Sequence, residues 1–334
     1  MSIPEASPPL LQVQDLKVHF PIKGGLLGTR TTGVIRAVDG VSFSIQRGET
    51  FSIVGESGCG KSTTAMAVLR MQPIDGGRIL FDGEDIADLK PAALKAVRRR
   101  MQTVFQDPFA SLDPRMKVGE IIAEPLLVHG QGDRRSRRAK VADLMALCGL
   151  LPDMADRYPH EFSGGQRQRI SIARALALEP ELVVCDEAVS ALDVSIRAQI
   201  LNLLLDLQER LGLAYLFISH DLTVVRHISD RIAVMYLGKI VEIGPADRLF
   251  AQPRHPYTKA LLAATPTLDG FQDPAAELLK GEQPSARNPP SGCRFHTRCP
   301  VRIPRCSVEE PTLLPLENGR QLACHLATRL ASGS

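Results

Sequence analysis

The sequence predicts an α/β protein with a mainly parallel sheet, and three observations predict it. Strand-like and helix-like runs alternate through the first 240 residues. The short strand-like runs are apolar throughout, as strands buried on both faces are. One of them enters a glycine-rich turn that opens a helix. At 334 residues the chain can bury one large core or two modest ones, which excludes a small disulfide-stapled module. Forty Lys+Arg against 37 Asp+Glu leave a formal +3, too balanced for a dedicated nucleic-acid clamp or a disordered tail. Trp is absent and aromatics make up 4%, which argues against base-stacking platforms and aromatic membrane belts. No apolar run approaches the about eighteen residues that cross a bilayer. Met1 to Pro9 carries Pro, Glu and Ser where a signal peptide has a basic start and an apolar stretch. The expected compartment is the cytosol, where the seven cysteines would be thiols or metal ligands.

The elements follow in order. Thr50-Phe51-Ser52-Ile53-Val54 reads as a buried strand, and Ser62 to Met71 has helical composition. Arg78-Ile79-Leu80-Phe81 followed by Asp82-Gly83 signals a hairpin. Between Asp107 and Phe162 the pattern is mostly helical, and the basic run Arg134 to Lys140 reads as a solvated helix face. Leu182 to Cys185 is a fully apolar strand, Ile196 to Leu211 a helix, and Tyr215 to Ile218 the next buried strand. Ile232 to Ile243 reads as two strands turning at Gly238. From about Pro245 proline becomes frequent, strand periodicity fades, and Cys293, Cys299, Cys306 and Cys324 crowd together. The expected division is a nucleotide-type domain over 10–244, with a helical subdomain at about 107–165, and a C-terminal extension over 245–334. No internal repeat or coiled-coil heptad run stands out.

Gly55-Glu56-Ser57-Gly58-Cys59-Gly60-Lys61-Ser62, with Thr63 next, matches the P-loop pattern in its required context between strand and helix. Glycines let backbone N–H groups converge on β- and γ-phosphate oxygens, and the helix N-terminus adds partial positive charge. Lys61 can reach across the phosphates, and the Ser62 hydroxyl is placed to ligate Mg²⁺. Downstream, Asp186-Glu187 ends an apolar strand. Asp186 suits Mg²⁺, and Glu187 can polarise the attacking water. His220 directly follows the strand Tyr215 to Ser219, where its imidazole could contact the γ-phosphate. Taken singly, an acidic strand end or a histidine is more often structural; the P-loop is what lifts both.

Phe162-Ser163-Gly164-Gly165-Gln166 resembles the signature motif of ATP-binding-cassette (ABC) proteins, with Phe162 where Leu is more usual. That resemblance implies a P-loop NTPase (RecA-like) core with an antiparallel β part, a helical signature subdomain and a C-terminal extension. It also implies Gln106 as the Q-loop residue and a further Mg²⁺ ligand, Ser190-Ala191-Leu192-Asp193 as the D-loop, and His220 as the switch. Phe20 would stack on adenine. Ala188 stands where many members have Pro. Gln106 to Arg115 and His255-Pro256-Tyr257-Thr258-Lys259-Ala260-Leu261 resemble the ATPase subunits of dipeptide/oligopeptide importers. The implied activity is ATP hydrolysis that powers peptide import. Two cassettes would close head to tail, with Ser163, Gly164, Gly165 and Gln166 serving the partner's ATP. The implied partners are a second ATPase subunit, related or identical, two transmembrane permease subunits and, indirectly, an extracytoplasmic solute-binding protein. The chain would then sit peripherally on the cytoplasmic face of the membrane.

The cysteine spacing Cys293-x5-Cys299-x6-Cys306-x17-Cys324 lacks the tight pair typical of structural zinc. Thiolate ligation of iron tolerates varied spacing. The resemblance implies a [4Fe–4S] cluster at these four residues, with zinc as the second choice, stapling a segment that cannot bury a core of its own.

Three other readings compete. A soluble ABC ATPase acting on nucleic acid or ribosomes would carry two cassettes or long inserted coiled coils, and this chain has one P-loop, one signature and no heptads. An importer of another small solute such as nickel would share every motif. A metal-binding regulator built on the cysteines would leave the ATPase set unexplained.

Overall fold

The computed structural model describes residues 8–24, 30–107, 111–264 and 283–327. The chain divides into two compact units. One is formed by Met1–Gln46, Thr50–Ala87 and Ser219–Ser334, the other by Arg47–Glu49 and Asp88–Ile218.

The first unit holds an antiparallel sheet of β1 (Leu11–Gly24), β2 (Arg30–Ile45), β4 (Gly76–Phe81) and β5 (Glu84–Asp85), in the order β2-β1-β4-β5. It also holds β3 (Thr50–Val54), which pairs in parallel with β9 (Arg231–Tyr236). Beyond β9, β10 (Lys239–Pro245), β12 (Gln321–Leu322) and β11 (Leu314–Pro315) add on antiparallel. Phe43 of β2 stacks on Phe51 of β3 with ring centroids 5.0 Å apart, inside an apolar core that includes Leu11, Leu16, Val38 and Ile53. Both sequence-predicted hairpins form. Asp82-Gly83 and Leu237-Gly238 each place two successive residues at positive φ, the twist a two-residue hairpin needs. The predicted helix at Ser62 to Met71 is shorter, Lys61–Val68, because Arg70 turns left-handed at φ 54 and ends it.

The long pair β1/β2 was not picked out strand by strand from the sequence. Asp15 sits at φ 47, and the register slips between Val13 and Leu16. Such a bulge breaks the alternation by which a strand is read.

The second unit carries β6 (Met101–Val104), β7 (Leu182–Asp186) and β8 (Ala214–Ile218), all parallel, with β7 in the middle. Every residue of β7 and β8 is buried, which accounts for their unbroken apolar sequence. Around them lie helices Pro91–Arg100, Val118–Val128, Arg134–Leu147, Gly164–Leu176 and Val194–Leu211. The basic run of helix Arg134–Leu147 is mostly exposed and begins at a reciprocal cap between Asp133 and Ser136.

Candidate active site

In the first unit, the turn after β3 shapes the P-loop. Gly55 and Gly60 have φ 153 and 111, and a Cβ would run into the carbonyl oxygens of Met235 and Ala37 respectively. Only glycine fits either position. Gly60 is the N-cap of helix Lys61–Val68, and no side chain caps that end. A helix start without a side-chain cap directs backbone N–H dipoles outward, which is the requirement for a phosphate. Lys61 is 5% exposed, and its Nζ donates to the carbonyls of Gly55 at 2.8 Å and Glu56 at 3.0 Å. The ammonium is therefore held inside the loop by the loop's own backbone. Cys59 is buried, which raises its thiol pKa, so it serves as a small apolar filler.

Glu56 has partners that the sequence did not announce. Its N–H donates to Tyr257 Oη at 3.0 Å, and its carboxylate accepts from Arg298 Nη1 at 3.0 and 3.1 Å. These residues stand 201 and 242 positions away, so no local pattern could have signalled either contact. Tyr257 lies in helix Pro256–Ala263, where His255 is the N-cap and its Nδ1 accepts from the Tyr257 N–H at 3.0 Å. Burial holds the His255 pKa down at about 3, so the ring is neutral and can accept.

Also in the first unit, Phe20 lies on β1 opposite Ile35 and is half-buried. His220 is exposed, between Ser219, whose N–H donates to Ile53 O at 3.4 Å, and Asp221, which caps helix Leu222–Ile228.

In the second unit, Asp186 ends β7 and is 8% exposed. Glu187 follows at φ 49, a left-handed conformation that costs a residue with a Cβ. Its N–H donates to Ile218 O at 3.0 Å, and its carbonyl accepts from the Ser190 N–H and Oγ at 3.0 and 2.9 Å. The turn that carries both carboxylates is thus pinned at either end. Gln106 is exposed, just beyond β6; Pro108, Phe109 and Ala110 of the same motif lie outside the described residues.

Ser163 is the N-cap of helix Gly164–Leu176 and caps it reciprocally: Oγ accepts from Gln166 N–H at 3.4 Å, and Gln166 Oε1 accepts from Ser163 N–H at 3.0 Å. A Cβ on Gly165 would come within 2.5 Å of Ile196 Cγ2, so this glycine lets helix Val194–Leu211 approach. Phe162 is buried, so the position calls for an apolar side chain.

The expected iron–sulfur cluster, with zinc as second choice, is corrected by the structure. Among the described residues, which include Cys293, Cys299, Cys306 and Cys324, no group of three or more His, Cys, Asp or Glu could hold a metal ion. As free thiols these cysteines stay protonated: burial pushes Cys293 up to about 12 and raises Cys299 and Cys324. Arginines staple this segment instead. Arg294 bonds to Asp39 and the Leu237 carbonyl, Arg298 to Glu56, and Arg320 to Glu242 at 2.5 Å. Phe295 packs against Tyr236 and Tyr257, each with ring centroids at 5.3 Å.

Comparisons with known proteins agree with this geometry. Residues 38–190 match the model of the ABC transporter family, and residues 241–306 that of the oligopeptide/dipeptide transporter C-terminal region. The oligopeptide transport ATP-binding protein AppF of Bacillus subtilis is 54% identical over 95% of this chain and 97% of its own. The dipeptide transport ATP-binding protein DppF of Escherichia coli is 50% identical over 97% of both. Among solved structures, a dimeric ATP-binding cassette in a post-hydrolysis state bound to ADP and Pi superposes with TM-score 0.62 at 28% identity, covering 71% of this chain and 98% of that one. Fold and site define an ATP-binding cassette with a P-loop NTPase core. The chain belongs to the ABC transporter family, within its oligopeptide/dipeptide ATP-binding proteins.

Proposed function

We propose that this chain is the ATP-hydrolysing subunit that powers import of dipeptides and oligopeptides by an ABC transporter. The observation that carries it is the P-loop helix start without a side-chain cap, with Lys61 held inside the loop, in a chain 50% identical over 97% of its length to a dipeptide transport ATP-binding protein. The P-loop residues Gly55 to Thr63 bind the triphosphate, and Phe20 stacks on the adenine. Ser62, Gln106 and Asp186 offer hydroxyl, amide and carboxylate oxygens, a donor set that fits Mg²⁺. Bound there, Mg²⁺ would neutralise charge on the β- and γ-phosphates. Glu187 orients the attacking water and takes its proton, while His220 contacts the γ-phosphate. Ser163, Gly164, Gly165 and Gln166 meet the nucleotide of a second cassette, a paralogue or another copy of this chain.

Two permease subunits transmit closure of the pair, and an extracytoplasmic solute-binding protein delivers peptide. Among the described residues no helix is long and apolar enough to cross a membrane. Attachment through the permeases, on the cytoplasmic face, accounts for membrane location. The functional division lies at 244/245, with 10–244 as the nucleotide-binding domain and 107–165 as its helical part.

Glu187→Gln in the assembled transporter tests this reading. ATP turnover should fall by about 10²–10⁴-fold. Mg-ATP affinity should stay within about threefold, because the carboxamide keeps the shape and removes only the base, and peptide uptake into vesicles should stop. Wild-type turnover in this variant would remove Glu187 from the mechanism.

A further inference from the structure

Every polar group of Glu56 is engaged. Its N–H goes to Tyr257 Oη, its carbonyl receives Lys61 Nζ at 3.0 Å, and its carboxylate receives Arg298. The residue is thus a junction, with the P-loop lysine seated on one side and the C-terminal segment attached on the other. The attachment is rigid by construction. Arg298 has a side-chain exposure of 7%, and its guanidinium lies 5.9 Å from the Tyr236 ring centroid and 6.0 Å from that of Phe295. Tyr236, Tyr257 and Phe295 are all at most 1% exposed and in mutual contact. With Arg298 buried and Glu56 23% exposed, the pair is screened less than a surface pair.

The chemistry of the loop makes this consequential. A P-loop gathers N–H dipoles and one ammonium around a polyanion, and a carboxylate within it opposes that purpose. Glu56 occupies the second position of the motif and carries a formal negative charge. The Arg298 cation offsets that charge.

We propose that Arg298 is a positioning residue for nucleotide binding: it anchors and neutralises Glu56, and so couples the C-terminal segment to the affinity of the P-loop for ATP. This rests on the reading that the P-loop holds ATP. Without Arg298, Glu56 repels the γ-phosphate and the carbonyl that seats Lys61 is free to shift. Both effects weaken binding. No direct effect on the attack of water is expected from this coupling, because Arg298 acts on the P-loop through Glu56.

The test uses the full chain and Mg-ATP, titrated calorimetrically. Arg298→Ala should weaken Mg-ATP binding by about 10–100-fold, as loss of one member of a buried hydrogen-bonded charge pair does. Arg298→Lys should recover part of that loss. Glu56→Gln combined with Arg298→Ala should recover the share of the loss that comes from repulsion, since the repelling charge is then gone, though the anchor is not restored. A purely structural role for Arg298 would not be rescued by removing its partner. In the assembled transporter, Arg298→Ala should raise KM for ATP while kcat changes by less than about threefold.

Should Arg298→Ala fail to fold, Glu56→Gln alone reads the other side of the pair. The Gln amide oxygen can still accept from Arg298, so the anchor is kept while the repelling charge is gone, and Mg-ATP binding should hold or tighten; weaker binding would overturn the proposal. Equal affinity of wild type and Arg298→Ala, or failure of the double variant to recover, would overturn it as well. A wild-type chain that binds no Mg-ATP would instead defeat the ATP reading itself, which keeps the two outcomes apart.

Discussion

Two helix starts in this chain carry glycine-rich, phosphate-type sequences, and they are finished in opposite ways. Helix Lys61–Val68 begins at Gly60 with no side chain capping it, and the nearby cation Lys61 is seated on loop carbonyls. Helix Gly164–Leu176 begins at Ser163 and is closed by its own cap, Ser163 and Gln166 bonding each other's backbone. The first end keeps its backbone N–H groups clear of any side-chain cap, as phosphate binding requires. The second has already satisfied one of its amides, and what it keeps to offer is the Ser163 O–H, since Oγ uses a lone pair for the Gln166 N–H. One end suits primary binding and the other suits a late, weaker contact. That is the division of labour expected when a nucleotide is bound by one cassette and covered by another.

The largest effect should come from the first end. Lys61→Ala removes the one side-chain cation inside the loop, and Mg-ATP affinity of the isolated chain should fall by about 100-fold or more, as for truncation of a buried charge partner. Titration calorimetry checks this. Retained affinity would mean that the glycine backbone suffices, and the contrast between the two ends would collapse.

A third helix start sharpens the comparison by pH. Helix Pro256–Ala263 is capped by the neutral ring of His255, which is 1% exposed. An unfolded histidine titrates near 6.5, whereas burial holds this one at about 3. Between those values the unfolded chain binds the extra proton, so stability rises with pH through that window. The contribution is complete above about pH 6.5 and is lost as pH falls toward 3, at about 1.4 kcal/mol per unit. Denaturant melts at pH 7 and pH 5 should therefore differ by about 2 kcal/mol from this group, and His255→Asn, which can still cap without titrating, should flatten that difference. An unchanged pH slope in His255→Asn would assign the acid sensitivity elsewhere.

These three helix starts also show what a sequence exposes. The P-loop was legible because its chemistry is local: eight consecutive residues hold the glycines, the lysine and the hydroxyl. The signature and the Asp186-Glu187 strand end were legible for the same reason. The buried strands β3, β7 and β8 announced themselves by unbroken apolar runs. The arginine staples were not legible at all. Asp39 to Arg294, Glu56 to Arg298 and Glu242 to Arg320 join residues 255, 242 and 78 positions apart. An arginine that closes such a link looks, in sequence, like any surface arginine. The cysteines misled for the converse reason. Thiols draw attention in sequence whether or not they ligate, and here Phe295 and three arginines hold the segment that the thiols were expected to staple.

The smallest effect should come from the closed helix end. Ser163→Ala deletes the acceptor for the Gln166 N–H but leaves Gln166 Oε1 accepting from the residue 163 N–H, so half of the reciprocal cap survives. The lost bond is long, at 3.4 Å, which places the cost at the low end of the range for an N-cap serine, about 0.5–1 kcal/mol. A thermal melt should shift down by about 1 °C. If this end serves a second cassette, as proposed, Mg-ATP affinity of the isolated chain should not change, whereas turnover of the assembled transporter should drop with the loss of the O–H proposed to meet the partner's nucleotide. An affinity loss in the isolated chain would place Ser163 on its own chain's nucleotide. The two helix starts would then serve one site in one chain, and the difference in their caps would have to be explained without a second cassette.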